Sequence, residues 1–180
     1  MVMTVEDVEK LKYLYPNHRI ELRDGAVVIM SPSDATSSLI GARFSRLLGN
    51  WVEPRALGYV FDASAGFRSP DGNLTAPDVS FVSRERLKRV PRTYAQVVPN
   101  LVVEIKSGSD RVKPIVQKLQ SYLEVGAVVG LLVDPDERTV TVYRTGQEPI
   151  ELSDDDTLTV PELLPGGEIV VSQLWPPEFD

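Results

Sequence analysis

Glu104 and Lys106 stand two residues apart at the end of an otherwise apolar run, LVVEIK. Strand residues two apart share a face, so the carboxylate and the ammonium project together while Ile105 points into a core on the other side. Burying a charged pair at the end of a central strand is costly and rarely stabilises more than an apolar pair would. Such a pair is therefore a functional candidate. Ala76-Pro77-Asp78 opens a second run, VSFV. Proline is tolerated at a strand's first residue, which leaves Asp78 at the rim. If the two strands pair, Asp78 and Glu104 converge on one hard cation, because Mg2+ and Mn2+ prefer carboxylate, carbonyl and water oxygens. The Ile105 carbonyl is a further ligand candidate. Lys106 would position or help deprotonate a water there, beside a cation that neutralises charge developing on a phosphate. The plain alternatives are a strand-end ion pair for Glu104 and Lys106 and a strand-cap carboxylate for Asp78.

Other chemistries lack their parts. The 180 residues contain no cysteine and a single histidine, His18. That removes disulfides, thiolate nucleophiles and zinc sites of the usual ligand types. There is no Gly-x-Ser-x-Gly elbow and no phosphate-binding Gly-x-x-x-x-Gly-Lys-Ser/Thr loop. His18 follows Pro16-Asn17 in a turn and reads as a surface residue. Trp51 and Trp175 read as packing or interface residues.

The elements that must hold these residues follow from periodicity and punctuation. Thr4 caps a short helix over 5–14, with Glu6 and Asp7 in its first turn. RIEL and AVVIM flank Asp24-Gly25, the preferred type I′ hairpin turn. Ser33 or Asp34 opens a helix to about residue 53, with apolar positions at helical spacing from Leu39 to Trp51. Gly58 to Phe67 reads as a strand or strand pair, Pro70–Asn73 as a turn, 77–82 as a short strand and 83–89 as a helical turn. LVVEI reads as a buried strand. A helix capped by Ser109 or Asp110 then runs to about Val125, with Gly126 past its end. AVVGLLV is again a buried strand, and TVTVYR an alternating one. The order predicts an α/β (α+β) fold, a mixed central sheet flanked by helices. The expected organisation is a single domain over 1–180, with a core of about 5–145 and an acidic, β-rich extension over 146–180.

Charge is unevenly spread. The net charge is −7, but residues 1–120 hold 17 basic and 13 acidic side chains, and residues 121–180 hold 2 basic and 13 acidic. A polyanion could meet a basic face although the whole molecule is acidic. The densest basic runs are Arg84–Arg92 and the cluster of Arg111, Lys113 and Lys118. The alternative for such runs is a solvated surface. Asp154-Asp155-Asp156 reads as a solvated loop. No apolar run approaches a membrane span, and MVMTVEDVEK lacks the regions of a signal peptide, so a cytoplasmic location with no membrane partner is expected.

Pro-Asp followed 26 residues later by Glu-x-Lys resembles the PD-(D/E)xK nuclease superfamily. RIELRDGAVVIMSP, a long helix, APDVSFV, PNLVVEIKS, Lys118-x-x-x-Tyr122 and LLVDP follow in one order over roughly residues 5–145. Together they look like the Uma-type restriction endonucleases, a bacterial branch of that superfamily. The resemblance implies a restriction-endonuclease-like fold and Mg2+- or Mn2+-dependent hydrolysis of DNA phosphodiester bonds. It implies Asp78 and Glu104 as metal-binding acids and Lys106 as the catalytic lysine. Glu21 matches an acid of the N-terminal hairpin that binds a second metal or holds a water. Lys118 and Tyr122, four apart on one helix face, match positions lining the site, Lys118 contacting phosphate or supporting Lys106. Cleavage of a duplex would favour a homodimer, with LLPGG and Leu174-Trp175-Pro176 as candidate contacts. The alternative is an inactive module of the same fold that binds DNA or a protein partner. The chain departs from the family pattern at Ser37, where relatives often carry histidine, and at Gly130-Leu131, which replace a common aromatic pair. It keeps the lysine at Lys106 that many relatives lack.

Overall fold

The computed structural model describes residues 2–179. Helix α1 (Val5–Leu14) begins with a capping box: the Thr4 hydroxyl accepts from the Asp7 N–H, and the Asp7 carboxylate accepts from the Thr4 N–H. Strands β1 (Arg19–Arg23) and β2 (Ala26–Met30) close around Asp24 and Gly25. Both turn residues have positive φ, +49° and +73°, as a type I′ turn requires. Helix α2 (Ala35–Val52) is capped by Asp34, whose carboxylate accepts from the Ser37 N–H.

The chain then lays down β3 (Gly58–Asp62), β4 (Phe67–Arg68), β5 (Leu74–Thr75) and β6 (Val79–Ser83). Next come β7 (Leu101–Ile105), α3 (Val112–Glu124), β8 (Val129–Asp134) and β9 (Thr139–Tyr143). Three short strands, β10 (Ile150–Leu152), β11 (Thr157–Thr159) and β12 (Glu168–Val170), and a 3-10 turn over Val171–Leu174 complete the described chain.

The main sheet runs β10-β9-β8-β7-β6-β3. Only β7 and β8 pair in parallel, joined by α3; the other neighbours are antiparallel. The sheet is therefore mixed, with α2 on one face and α3 on the other. The larger core joins Phe44, Leu48 and Val52 of α2 to Phe81, Leu101, Val103 and Leu131. The smaller joins Leu119 and Tyr122 of α3 to Val102 and Leu132. A second sheet, β2-β1-β5-β4, packs Ile20 and Leu22 against α1.

Two expectations need correction. Helix α3 starts at Val112 with Arg111 as its N-cap and no side-chain cap. Asp110 instead accepts from the Ser107 N–H and closes the preceding turn, because a short acidic side chain competes equally well for loop donors. The C-terminal end of α3 behaves as read: Gly126 takes φ +116°, and the Ala127 N–H reaches Tyr122 O in a Schellman arrangement. The segment after β6 makes the helical turn read for it, with the N–H groups of Arg86 and Leu87 both donating to Ser83 O. Finally, Leu164, Leu174 and Trp175 are buried in the chain's own core, where Trp175 Nε1 donates to Asp154 at 2.6 Å. They are not free to form a dimer surface. Apolar C-terminal residues look alike in a sequence whether they cover their own sheet or another copy.

Candidate active site

Strand β7 carries the site because it lies between β6 and β8. Its alternation sends Leu101, Val103 and Ile105 to the α2 core. Val102 meets α3 on the other face, which Glu104 shares. The last paired residues of β6 and β7 are Val79 and Val103, so the antiparallel register sets Asp78 across from Glu104. Carboxylates facing one another across a strand pair repel. The surroundings offset this. Asp78 accepts from the Ile105 N–H at 2.8 Å and faces the Arg19 guanidinium at 3.8 Å. Lys118, one turn before Tyr122 on α3, brings its ammonium to 2.7 Å from Glu104 Oε1 and 3.5 Å from Glu21 Oε1.

Glu21 is 1% exposed although it lies in a hairpin strand. The period of two in RIELR sets Arg19, Glu21 and Arg23 on one face, and that face turns toward β7 and α3. Arg23 Nε donates to Glu21 at 2.6 Å, and the Ala76 N–H donates to its other oxygen at 3.0 Å. Sequence reasoning did not single out Arg19 or Arg23; the same alternation assigns them to the site.

Glu21 and Glu104 share Lys118 yet titrate in opposite directions. Burial pulls Glu21 upward, but Lys118, Arg23 and the Ala76 N–H outweigh it and hold the carboxyl below its ordinary value. Burial dominates at Glu104; Lys118 opposes it, while the charges of Asp78 and Glu21 add to it, and the pKa rises to about 7. The Lys118 contact lacks hydrogen-bond direction, so Glu104 Oε1 is a buried oxygen with no directed donor. The Lys118 ammonium lies 5.9 Å from the centre of the Tyr122 ring, and burial lifts that phenol well above its usual range.

Lys106 goes elsewhere. Its backbone N–H pairs with Val133 O, and its ammonium sits between Asp134, at 3.3 Å, and Asp136. Those carboxylates raise its pKa, the Asp136 contact most. They flank β7 on the β8 side, whereas Asp78 flanks it on the β6 side. The structure thus joins Asp78, Glu104, Glu21 and Lys118, and holds the Lys106 amine apart from them, in a cleft that only Asp78 of the four also lines. That cleft measures about 690 Å3 and is lined by Arg19, Asp34, Ser37, Asp78, Lys106 and Asp136 among others. The sequence showed Asp134-Pro135-Asp136 as a turn only; nothing in it marked these acids as the partners of Lys106. Ser37, in the place where relatives often carry histidine, donates to Asp34 at 2.7 Å and to Lys106 O at 3.3 Å. His18 is exposed, as read.

Among the described residues no group of three or more His, Cys, Asp or Glu side chains is arranged to hold a metal. The donors that suit a hard cation are the two carboxylates of Asp78 and Glu104. The undirected, buried Glu104 oxygen fits such an ion, because a cation would satisfy it.

Part of the basic runs is engaged within the fold. Arg86 donates to Val98 O and Gly126 O at 2.9 and 2.8 Å, stapling two loops, and Arg84 pairs with Glu85. No described helix is long and apolar enough to cross a membrane.

The family model Uma2, described as "Putative restriction endonuclease", matches residues 5–172. A crystal structure of "a putative nuclease belonging to DUF820" from Anabaena variabilis superposes with a TM-score of 0.83 at 22% identity, covering 96% of this chain and 97% of that one. The fold is therefore shared with that protein. A DrdV–DNA complex seen by cryo-EM aligns at a TM-score of 0.40 and 16% identity, over 61% of this chain and 10% of that one, a likeness too weak to carry an argument. No curated protein matches.

Proposed function

The chain belongs to the Uma2 family, and from that premise we propose that it is a divalent-metal-dependent endonuclease hydrolysing DNA phosphodiester bonds. The observation that carries this reading is the meeting of Asp78 and Glu104 across β6 and β7, with a buried lysine shared between Glu104 and Glu21. Asp78 and Glu104, with the Ile105 carbonyl, would hold Mg2+ or Mn2+. Such a cation, when bound, supplies Lewis-acid polarisation of a phosphoryl oxygen.

The chain's own side chains do the rest. Glu21 fixes the Lys118 ammonium beside Glu104, where it counters charge building on the phosphate. Arg19, half-buried at Asp78, positions the backbone. Lys106 at the cleft mouth orients the attacking water after its ammonium leaves Asp136. Water adds to phosphorus, one P–O ester bond breaks, and the departing oxygen takes up a proton. Cutting both strands of a duplex calls for two copies related by a two-fold axis, hence a homodimer.

A second reading rests on the Lys106 contacts. With its ammonium held by Asp134 and Asp136, the same fold serves as a silent module that binds DNA or a protein partner. Nicking of supercoiled plasmid in Mn2+ separates the two. The nuclease reading expects nicking by the wild type and its loss in folded Asp78→Ala and Lys106→Ala variants. A wild type that binds DNA in EDTA but never nicks with Mn2+ establishes the silent module instead.

A further inference from the structure

The clefts beyond the carboxylates adjoin one another through shared walls. From Asp78 these walls pass Arg19 into a cleft floored by Ala63, Ser64 and Thr75. From there, Lys12, Ser64, Gly66 and Tyr94 lead into a pocket of about 500 Å3 that also includes Phe61 and Arg92. The two arms of this series differ in charge. The arm holding Lys106 also carries Asp34, Asp110 and Asp136. The opposite arm carries Lys12, Arg19 and Arg92 against Glu9 and Asp62. A polyanion meets the more favourable balance along the second.

The far pocket has the parts of a nucleotide site. Tyr94 and Phe61, both half-buried, supply the aromatic lining that a base can stack on. The Lys12 ammonium stands 5.0 Å from the Tyr94 ring centre, a place where it can meet a phosphate attached to a stacked base. Arg92 lines the same pocket. The ring is held on fixed backbone: the Ala95 N–H donates to Gly66 O at 3.1 Å, and the Arg68 N–H donates to Ala95 O at 2.9 Å. Gly66 makes room for it, since a Cβ there would lie 2.7 Å from Tyr94 Cδ1. The pocket falls in the size range of small-ligand sites.

We propose that the pocket formed by Lys12, Phe61, Arg92 and Tyr94 is a subsite for one unstacked nucleotide of the strand that passes Asp78. The inference rests on the nuclease reading and sharpens it: the nucleic acid is held single-stranded or frayed beside the carboxylates, by stacking and phosphate contacts. Of the basic run Arg84–Arg92 after β6, Arg92 alone lines this path; Arg84 and Arg86 are engaged elsewhere.

The test is binding of a short fluorescein-labelled oligothymidylate, followed by anisotropy in EDTA so that no cleavage is needed. Tyr94→Leu and Lys12→Gln are each expected to weaken it roughly tenfold, with Tyr94→Phe close to wild type. Lys12→Gln should also flatten the salt dependence. Gly66→Ala, which displaces the ring without removing it, should act like Tyr94→Leu. Circular dichroism checks that each variant folds. Wild-type affinity in Tyr94→Leu and Lys12→Gln overturns the subsite, and wild-type plasmid nicking in Mn2+ then shows that the nuclease reading stands without it. Thymidine monophosphate competing as strongly as the oligomer overturns the strand in favour of a free nucleotide. A wild type that binds no oligonucleotide overturns the proposal outright.

Discussion

The two faces of β7 are built from alternate residues of five, yet they serve opposite ends. Toward α2, Leu101, Val103 and Ile105 enter a core of apolar side chains that includes Phe44, Phe81 and Leu131. Toward α3, Val102 is followed by Glu104, which is buried against a lysine and faces a second acid. The first face is optimised by packing alone. The second retains charges whose burial opposes folding and is redeemed only by close partners. A sheet can hold such a face because the other one supplies the stability.

Breaking the apolar face should have the largest effect on stability. Phe44→Ala removes a fully buried ring and is expected to cost about 4 kcal/mol, read as a lowered denaturant midpoint, while any DNA contact survives under native conditions. A loss below about 1 kcal/mol would show that the α2 face does not anchor the fold.

On the charged face, Lys118→Ala leaves Glu21 and Glu104 buried without their shared ammonium and should cost about 3 kcal/mol. Lys118→Met keeps the volume but not the charge. If Met restores the stability lost in Ala, packing rather than charge is what Lys118 contributes there, and the contrast between the faces weakens.

The third effect is pH-dependent and of similar or smaller size. Glu104 titrates near 7 in the folded chain against an ordinary 4.5, so the native state holds its proton over that interval and the unfolded chain does not. The stability this contributes is present in full below about 4.5 and is lost as pH rises through about 7, on the order of 3 kcal/mol at most. Glu21 runs the other way, its contribution being lost as pH falls through its depressed pKa. In metal-free protein, Glu104→Gln should remove the decline between pH 5 and pH 7 in thermal melts. A decline that persists in the variant would assign it to another group.

Much of this was legible in the chain. The Asp24-Gly25 hairpin, the helix after Asp34, the buried strand ending in Glu104 and the helix closed by Gly126 all announce themselves by local rules. So does the sharing of a face by Glu104 and the core of α3, because alternation is local. What was not legible is where long side chains go. Lys106 has enough reach to choose between the flanks of β7, and it takes Asp134 and Asp136, acids that the sequence showed only as a turn. The cap of α3 was misjudged for a related reason: Asp110 has two sets of donors within reach, and the loop wins.

Residue order alone therefore determined most of the strands and helices and the short list of candidate side chains for a cation, since these depend on period, turn chemistry and residue type. Tertiary structure decided the company they keep. Glu21 lies more than eighty residues from Glu104 and ninety-seven from Lys118, and only the folding of the hairpin sheet against α3 makes one lysine serve both acids. Electrostatic interaction depends on separation in space and on the water excluded between charges, neither of which is written along the chain.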